Sequence, residues 1–369
     1  MVGIDVDGYP TEDVTLRFRA SRASGKVPPS GNSAVDLTKP PAAQYMPLLA
    51  NTMTKPGPEE TDMTPVPIAL GPHADPLLME AIASGGGEWA PMVDAQALVW
   101  AADPDRFPDE LPESVRWVQL YSAGVEDWFA AGIIARHPRV VFTSAAGAFS
   151  ATVAEHAFAL LLAGVRALPE QLAATSWRQQ EFFGKVGTLR GSTVAIVGAG
   201  GIGRALIPML SSVGARVLAV TRSGRAVPGA AETLPADRTD EVWDRTDHVV
   251  VAAPATARTR HLVGAEQLAR LGAHSWVINV ARGSLVDTDA LVKALRDKAI
   301  GGAGLDVTDP EPLPDGHPLW TLPNAIITPH CSNPPSVRPP AFADHVAMNV
   351  RRFVAGEELL ARIDPVAGY

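Results

Sequence analysis

A glycine turn set between two apolar strands constrains this chain more than any other stretch. Thr193-Val194-Ala195-Ile196-Val197 is a short β-branched run suited to a buried parallel strand, and Gly198-Ala199-Gly200-Gly201-Ile202-Gly203 after it satisfies G-x-G-x-x-G. Ile202, Ala205, Leu206, Met209, Leu210 and Val213 then recur at helical spacing, Gly214 stands where that helix should stop, and Arg216 to Val220 is a second apolar run. The stretch reads as one βαβ unit. In such a unit the first glycine permits a tight turn, the second lets backbone approach a pyrophosphate, and the third lets helix pack on strand. Free N–H groups at the helix start then face the phosphates. Gly198, Gly200, Gly201, Ile202 and Gly203 are therefore candidates for binding a dinucleotide. Pro208 lies inside the same helix, where it removes a backbone bond and predicts a kink.

A chain of 369 residues exceeds what one core usually supports, so two domains are expected. Its 31 basic against 40 acidic residues give a net charge of −9, which disfavours nucleic acid or an anionic membrane as a partner. A single cysteine, Cys331, excludes an intramolecular disulfide and a cysteine-rich metal site and suits a reducing interior. No metal ligands stand out. The longest apolar stretch, Ala151 to Val165, carries Glu155 and His156 and is too short to span a bilayer. The N-terminus has no signal-peptide pattern. These features predict a soluble cytoplasmic protein.

Residues 1–64 are rich in Pro, Ser, Thr and Gly with little sustained apolar pattern, and are expected to be poorly ordered. Met46, Met53 and Met63 within this part are alternative starts for the natural product. Ordered structure should begin at Val66 to Leu70. Further apolar runs at Ala97 to Trp100, Trp117 to Leu120 and Val140 to Phe142 predict a small α/β domain. After the third of these four runs, Ser122-Ala123-Gly124-Val125 reads either as an ordinary strand-to-helix turn or as accessible backbone N–H groups for an anion. Ala151 to Arg166 is a helix expected to cross between domains. Trp177, Phe182 and Phe183 in the polar segment after it fit packing on a neighbouring subunit and local packing equally well.

Beyond the glycine unit the chain alternates. His248 to Ala252 predicts a strand ending at Ala253-Pro254, Ala265 to Leu271 a helix, Ser275 to Asn279 a strand, Thr288 to Lys298 a helix, Gly302 to Val307 a strand and Ile326 to Thr328 the last. This order predicts a doubly wound parallel sheet with its ligand beyond the C-terminal strand ends. Arg282, Glu311 and His330 each follow one of those ends. An arginine fork can grip a carboxylate and polarise an adjacent carbonyl. A carboxylate beside an imidazole favours its charged form, which makes a proton donor. Singly these residues fit a surface arginine, a solvated charge and a partly buried histidine; together they describe reduction of a 2-oxo acid. At the end of the second strand Thr221-Arg222-Ser223-Gly224-Arg225 stands where an NAD-binding chain commonly offers a carboxylate to the ribose. Thr221, Arg222 and Ser223 therefore favour NADP(H), with NAD(H) as the alternative.

Several motifs, in order, resemble the D-isomer-specific 2-hydroxyacid dehydrogenase family. They are the glycine fingerprint, Asn279-Val280-Ala281-Arg282-Gly283, Gly304-Leu305-Asp306-Val307 leading to Pro310-Glu311-Pro312-Leu313, His317-Pro318-Leu319-Trp320, and Thr328-Pro329-His330, over roughly residues 65 to 360. The resemblance implies a Rossmann-type doubly wound cofactor domain with a smaller, split, flavodoxin-like α/β substrate domain. Residues 65–155 would form the first part of the substrate domain, 156–329 the NAD(P)-binding domain, and 330–369 the return of the substrate domain, with a last helix near Pro340 to Ala355. It implies Arg282, Glu311 and His330 as catalytic residues. Ala123, Gly124 and Val125 would hold the substrate carboxylate, and Asp306 the nicotinamide amide, with Ala253, Pro254 and Val280 beside the cofactor. A homodimer acting on a small 2-oxo or 2-hydroxy acid, glyoxylate or hydroxypyruvate, is implied as well. Two alternatives stay open: a dinucleotide-sensing protein without catalysis, and a dehydrogenase for a larger or phosphorylated hydroxy acid. The sequence departs from the family at Cys331-Ser332-Asn333-Pro334-Pro335, where small residues are usual, and residues 1–64 have no counterpart.

Overall fold

Short runs that are apolar on both faces suit the strands of parallel sheets covered by helices on each side. Two such sheets account for them in the computed structural model, which describes residues 65–369. The expectations for residues 1–64 lie outside the described residues.

The first sheet contains β1 (Val66–Gly71), β2 (Gly87–Trp89), β3 (Ala97–Trp100), β4 (Trp117–Leu120) and β5 (Val141–Thr143) in the order β2-β1-β3-β4-β5, all parallel. That is the flavodoxin-like order. β3 and β4 are buried along their whole length. Helices α1 (Pro76–Ser84), α2 (Glu126–Ala130) and α3 (Ile133–Arg136) lie in the connections. Asp75 starts α1 as its N-cap, its carboxylate accepting from the Leu77 and Leu78 amides.

The second sheet contains β6 (Thr193–Val197), β7 (Arg216–Thr221), β8 (Glu232–Pro235), β9 (His248–Val251), β10 (Trp276–Asn279), β11 (Gly302–Leu305) and β12 (Ala325–Ile327). Its order is β12-β11-β10-β9-β6-β7-β8, again all parallel. The chain winds outward from β6 in both directions, so the crevice between β6 and β9 is the topological switch point. The remaining helices are α4 (Ser150–Val165), α5 (Leu168–Leu172), α6 (Gln179–Phe183), α7 (Gly201–Ser212), α8 (Ala265–Arg270), α9 (Thr288–Arg296) and α10 (Arg338–Ala355). Among the described residues no helix is long and apolar enough to cross a membrane.

Helix α4 is unbroken through position 155 and packs with α7 on one face of the second sheet, through Val153, Ala157, Leu160 and Leu161. Each such side chain, fully buried, contributes ~1.5–3 kcal/mol if it is a leucine. Gly164 meets the Trp276 indole so closely that no side chain fits between them. Helix α10 instead returns to the first sheet, with Phe342, Val346 and Val350 in the core that holds Ile82, Val99 and Trp117.

A buried polar network fastens that return. The Trp117 indole N–H donates to Thr143 Oγ1 (2.8 Å), Thr143 to Gln119 Oε1 (2.8 Å), and Asn349 Nδ2 to the same oxygen (2.7 Å), while Asn349 Oδ1 accepts from the Leu360 amide (2.7 Å). Removing one partner would strand the others at ~1–3 kcal/mol each. His248 is a second buried polar group, accepting the Trp276 N–H at Nδ1; burial pulls its pKa down to about 4, so it is neutral near pH 7.

Two short edge strands, β2 and β8, are absent from the sequence reading because neither carries a sustained apolar run. Helix α7 continues through Pro208, which lies on its exposed side, where water can replace the missing bond.

Candidate active site at the strand ends

The glycine turn shows three distinct local causes. A Cβ on Gly198, whose φ is +97°, would overlap the Ala253 backbone across the switch point. One on Gly200 would meet nothing within 4 Å, so this backbone is open to a ligand. One on Gly203 would press on Ile196 and Ala199 at 3.0 and 3.1 Å, the close packing of helix on strand. Gly201 starts α7, and Ile202 packs partly buried behind it. This cradle fits a pyrophosphate at Gly200, where the backbone is open and the start of α7 follows, while the Ser150 hydroxyl lies against Gly201. Ala253 and Val280 are buried at the ends of β9 and β10, while Pro254 is exposed.

Beyond β7, Arg222, Ser223 and Arg225 are exposed. The Gly224 amide donates to Thr221 Oγ1 (3.1 Å), which closes the turn and leaves both arginines outside it.

Strand register explains why the three candidate catalytic residues converge. Asn279 lies beside Leu305, and Leu305 beside Ile327, so Arg282, Glu311 and His330 leave the same ends of three adjacent parallel strands. Asn279, fully buried, pins the first loop: its Nδ2 donates to the Arg282 carbonyl (2.8 Å), and its Oδ1 accepts from the Ala281 amide (3.1 Å). Gly283 then lies against the Thr308 carbonyl, closer than any side chain would permit. The arginine loop and the loop carrying Glu311 thus touch.

Arg282 reaches across to the other sheet. Its Nε donates to Glu126 Oε1 (3.0 Å), its Nη1 to the Ala281 carbonyl (2.7 Å), and its Nη2 lies where a Cβ on Gly124 would stand. Among the described residues the amides of Ala123, Gly124 and Val125 donate to no backbone carbonyl. A guanidinium and a turn of open amides therefore face one another, which suits a carboxylate.

His330 Nδ1–H donates to Glu311 Oε1 at 2.6 Å, and the two side chains are 51% and 39% exposed. The bond fixes the ring and leaves Nε2 for a ligand. His330 sits at φ +51°, a left-handed conformation uncommon for a residue with a Cβ. Its amide holds that conformation by donating to the Asp306 and Thr328 carbonyls (2.8 and 3.0 Å).

Asp306, 1% exposed, organises the segment around the histidine. Its Oδ1 accepts from Thr328 Oγ1 (2.6 Å) and the Cys331 amide (3.0 Å), and its Oδ2 from the Ser332 amide (3.1 Å). Burial alone would raise its pKa, but hydrogen bonds from His156, Thr328, Ser332 and Cys331 outweigh this and hold the carboxyl well below the usual carboxylate range. Thr328 spends its one hydroxyl proton on Asp306, so His156 Nε2, 2.8 Å from Thr328 Oγ1, must be the donor there. The unusual Cys331-Ser332 sequence is thus seated on Asp306 by its backbone. The sequence singles out no metal ligands; in the fold one ligand atom each of His156, Asp306 and Cys331 lies within 4.8 Å of the others.

Residues 158–332 match the model of the D-isomer specific 2-hydroxyacid dehydrogenase NAD binding domain. A glyoxylate reductase of Pyrococcus furiosus is 32% identical over 282 residues, covering 72% of this chain and 80% of that protein. The chain belongs to the D-isomer-specific 2-hydroxyacid dehydrogenases. An uncharacterised protein of Corynebacterium melassecola, from the proB 3′ region, is 38% identical over 301 residues, 81% of this chain and 98% of its own. Among solved structures, the NADPH-dependent glyoxylate/hydroxypyruvate reductase of Sinorhizobium meliloti in complex with NADP and sulfate superposes with a TM-score of 0.66. It is 26% identical and covers 82% of this chain and all of that one. A nicotinamide dinucleotide is the cofactor class that these likenesses support for this dehydrogenase.

Sequence reasoning about this dehydrogenase misses Glu126, His156 and the packing of the segment after α4. There Phe182 is buried beneath Arg178 and Lys185, whereas Trp177 and Phe183 are 90% and 66% exposed. Glu126 and His156 gave no local signal, since their partners Arg282 and Thr328 lie far away in sequence.

Proposed function

We propose that this dehydrogenase reduces a small 2-oxo acid with NADPH, glyoxylate to glycolate or hydroxypyruvate to D-glycerate. The observation that carries the reading is the convergence of the Glu311–His330 pair and the Arg282–Gly124 contact at three adjacent strand ends. Bound at Gly198 to Gly203, the reduced dinucleotide supplies the hydride. Arg282 and the open amides of Ala123 to Val125 hold the substrate carboxylate and polarise the neighbouring carbonyl. His330 gives the carbonyl oxygen its proton from Nε2 while Glu311 balances the imidazolium charge; in oxidation neutral His330 takes the hydroxyl proton. Glu126 steadies Arg282 through Nε and leaves the far end of the fork for substrate. Asp306, its side chain buried and both carboxylate oxygens already bonded, keeps the histidine segment in place rather than meeting the nicotinamide amide itself.

On this reading residues 65–155 and 330–369 serve the substrate and 156–329 the cofactor. Leu172, Trp177 and Phe183, exposed in the segment after α4, support a homodimer. The absence of a carboxylate after β7, with Arg222 and Ser223 exposed there, supports NADPH. One charged hydrogen bond to a 2′-phosphate is worth ~1.5–3 kcal/mol, or roughly ten- to a hundredfold. Initial rates with each dinucleotide against a panel of 2-oxo acids test both parts. Glyoxylate or hydroxypyruvate with NADPH should give the highest kcat/KM. An NADH preference would overturn the cofactor assignment, and no turnover with either dinucleotide the reaction.

A further inference from the structure

Arg222 is held by a residue of the turn that ends the chain and is anchored to the first sheet. Its Nη1 donates to the Tyr369 hydroxyl at 2.9 Å, and its guanidinium carbon lies 5.6 Å from the Tyr369 ring centroid. The segment presenting Tyr369 is a closed turn. Asp364 Oδ1 accepts from the Val366 and Ala367 amides (2.9 and 3.0 Å), the Gly368 amide donates to the Asp364 carbonyl (2.9 Å), and the Asp364 amide to the Tyr369 carbonyl (2.8 Å). Those two side-chain contacts, with Arg222 nearby, hold the Asp364 carboxyl below its ordinary range. The turn is anchored at its start, where Ile363 is buried, its amide donates to the Phe142 carbonyl (2.9 Å), and Arg362 bridges Thr143 of β5. A turn fixed to the first sheet thus places a phenol on the arginine that follows β7 of the second.

The donor count makes that phenol more than a prop. Arg222 donates into the phenolic oxygen, so the phenol's own O–H is left to donate elsewhere. A phosphate on the ribose that lies beyond β7 would accept from both groups, whereas a neutral hydroxyl there would gain far less from a cation. We propose that Tyr369 is a specificity-determining residue, which orients Arg222 and adds a hydrogen bond to the 2′-phosphate of the cofactor. The inference rests on the NADPH reading above. It also makes recognition of that phosphate a joint act of the two sheets.

The test is calorimetric binding of 2′,5′-ADP and 5′-AMP to the full-length wild type, Tyr369→Phe and Tyr369→Ala, with melting temperatures as a check on folding. Wild type should prefer 2′,5′-ADP. Tyr369→Phe, which keeps the ring and loses the hydroxyl, should weaken 2′,5′-ADP about tenfold, the worth of one charged hydrogen bond, and leave 5′-AMP unchanged. Tyr369→Ala should lose at least as much of the preference. Equal weakening of both ligands, or a preference that survives in both variants, would overturn the role of Tyr369 while leaving the NADPH reading intact. A wild type without preference for 2′,5′-ADP would overturn both.

Discussion

His330→Ala should lower kcat by ~10²–10⁴, the usual worth of a positioned acid–base group. Dinucleotide affinity should stay near wild type, since the cradle at Gly198 to Gly203 does not touch His330. Steady-state kinetics together with a dinucleotide titration separates the two effects. The magnitude follows from the geometry: Nδ1 is committed to Glu311 at 2.6 Å, so one ring nitrogen alone serves the substrate, and no second titratable side chain is bonded to that nitrogen among the described residues. Near-wild-type kcat would mean that another group or water supplies the proton.

Gly124→Ala should lower kcat/KM for the 2-oxo acid by about 10², the scale of an ångström-sized misplacement in a reacting site. The added Cβ would overlap Arg282 Nη2 and come within 2.6 Å of Glu126 Oε2, so the fork must leave the turn or the Glu126 contact must break. Neither obstacle is backbone, and Gly124 does not occupy a positive-φ conformation, so the fold should tolerate the change and the melting temperature should hold. The loss should appear with the acid substrate and not in dinucleotide binding. Wild-type kcat/KM in this variant would show that Arg282 does not work against this turn.

Much of this site was legible in the sequence because its signals are local. Gly198 and Gly203 answer to neighbours on an adjacent strand or turn, Gly200 to the open space beside it, and Arg282, Glu311 and His330 are found by asking which residues follow apolar runs. The parallel order then brings them together without further information. What stayed hidden depends on partners distant in the chain. Glu126 is an ordinary acidic residue at a helix start until Arg282 crosses to it, and His156 a polar residue in an apolar helix until Thr328 and Asp306 meet it. Tyr369 belongs to no strand or helix, and its partner Arg222 is reached only because the returning chain is sewn to β5. Edge strands β2 and β8 were missed for a different reason: Gly87-Glu88-Trp89 and Glu232-Thr233-Leu234-Pro235 are half solvated and lack the apolar run that marks a central strand.

With Arg282 and the Gly124 turn holding the substrate by its carboxylate and His330 protonating one defined oxygen, hydride should reach a single face of the carbonyl. The configuration of the product tests this most directly. Incubated with hydroxypyruvate and NADPH, the enzyme should form D-glycerate, one for each NADPH consumed, resolved on a chiral column. L-glycerate, a racemic product, or no consumption of NADPH would rule out this arrangement.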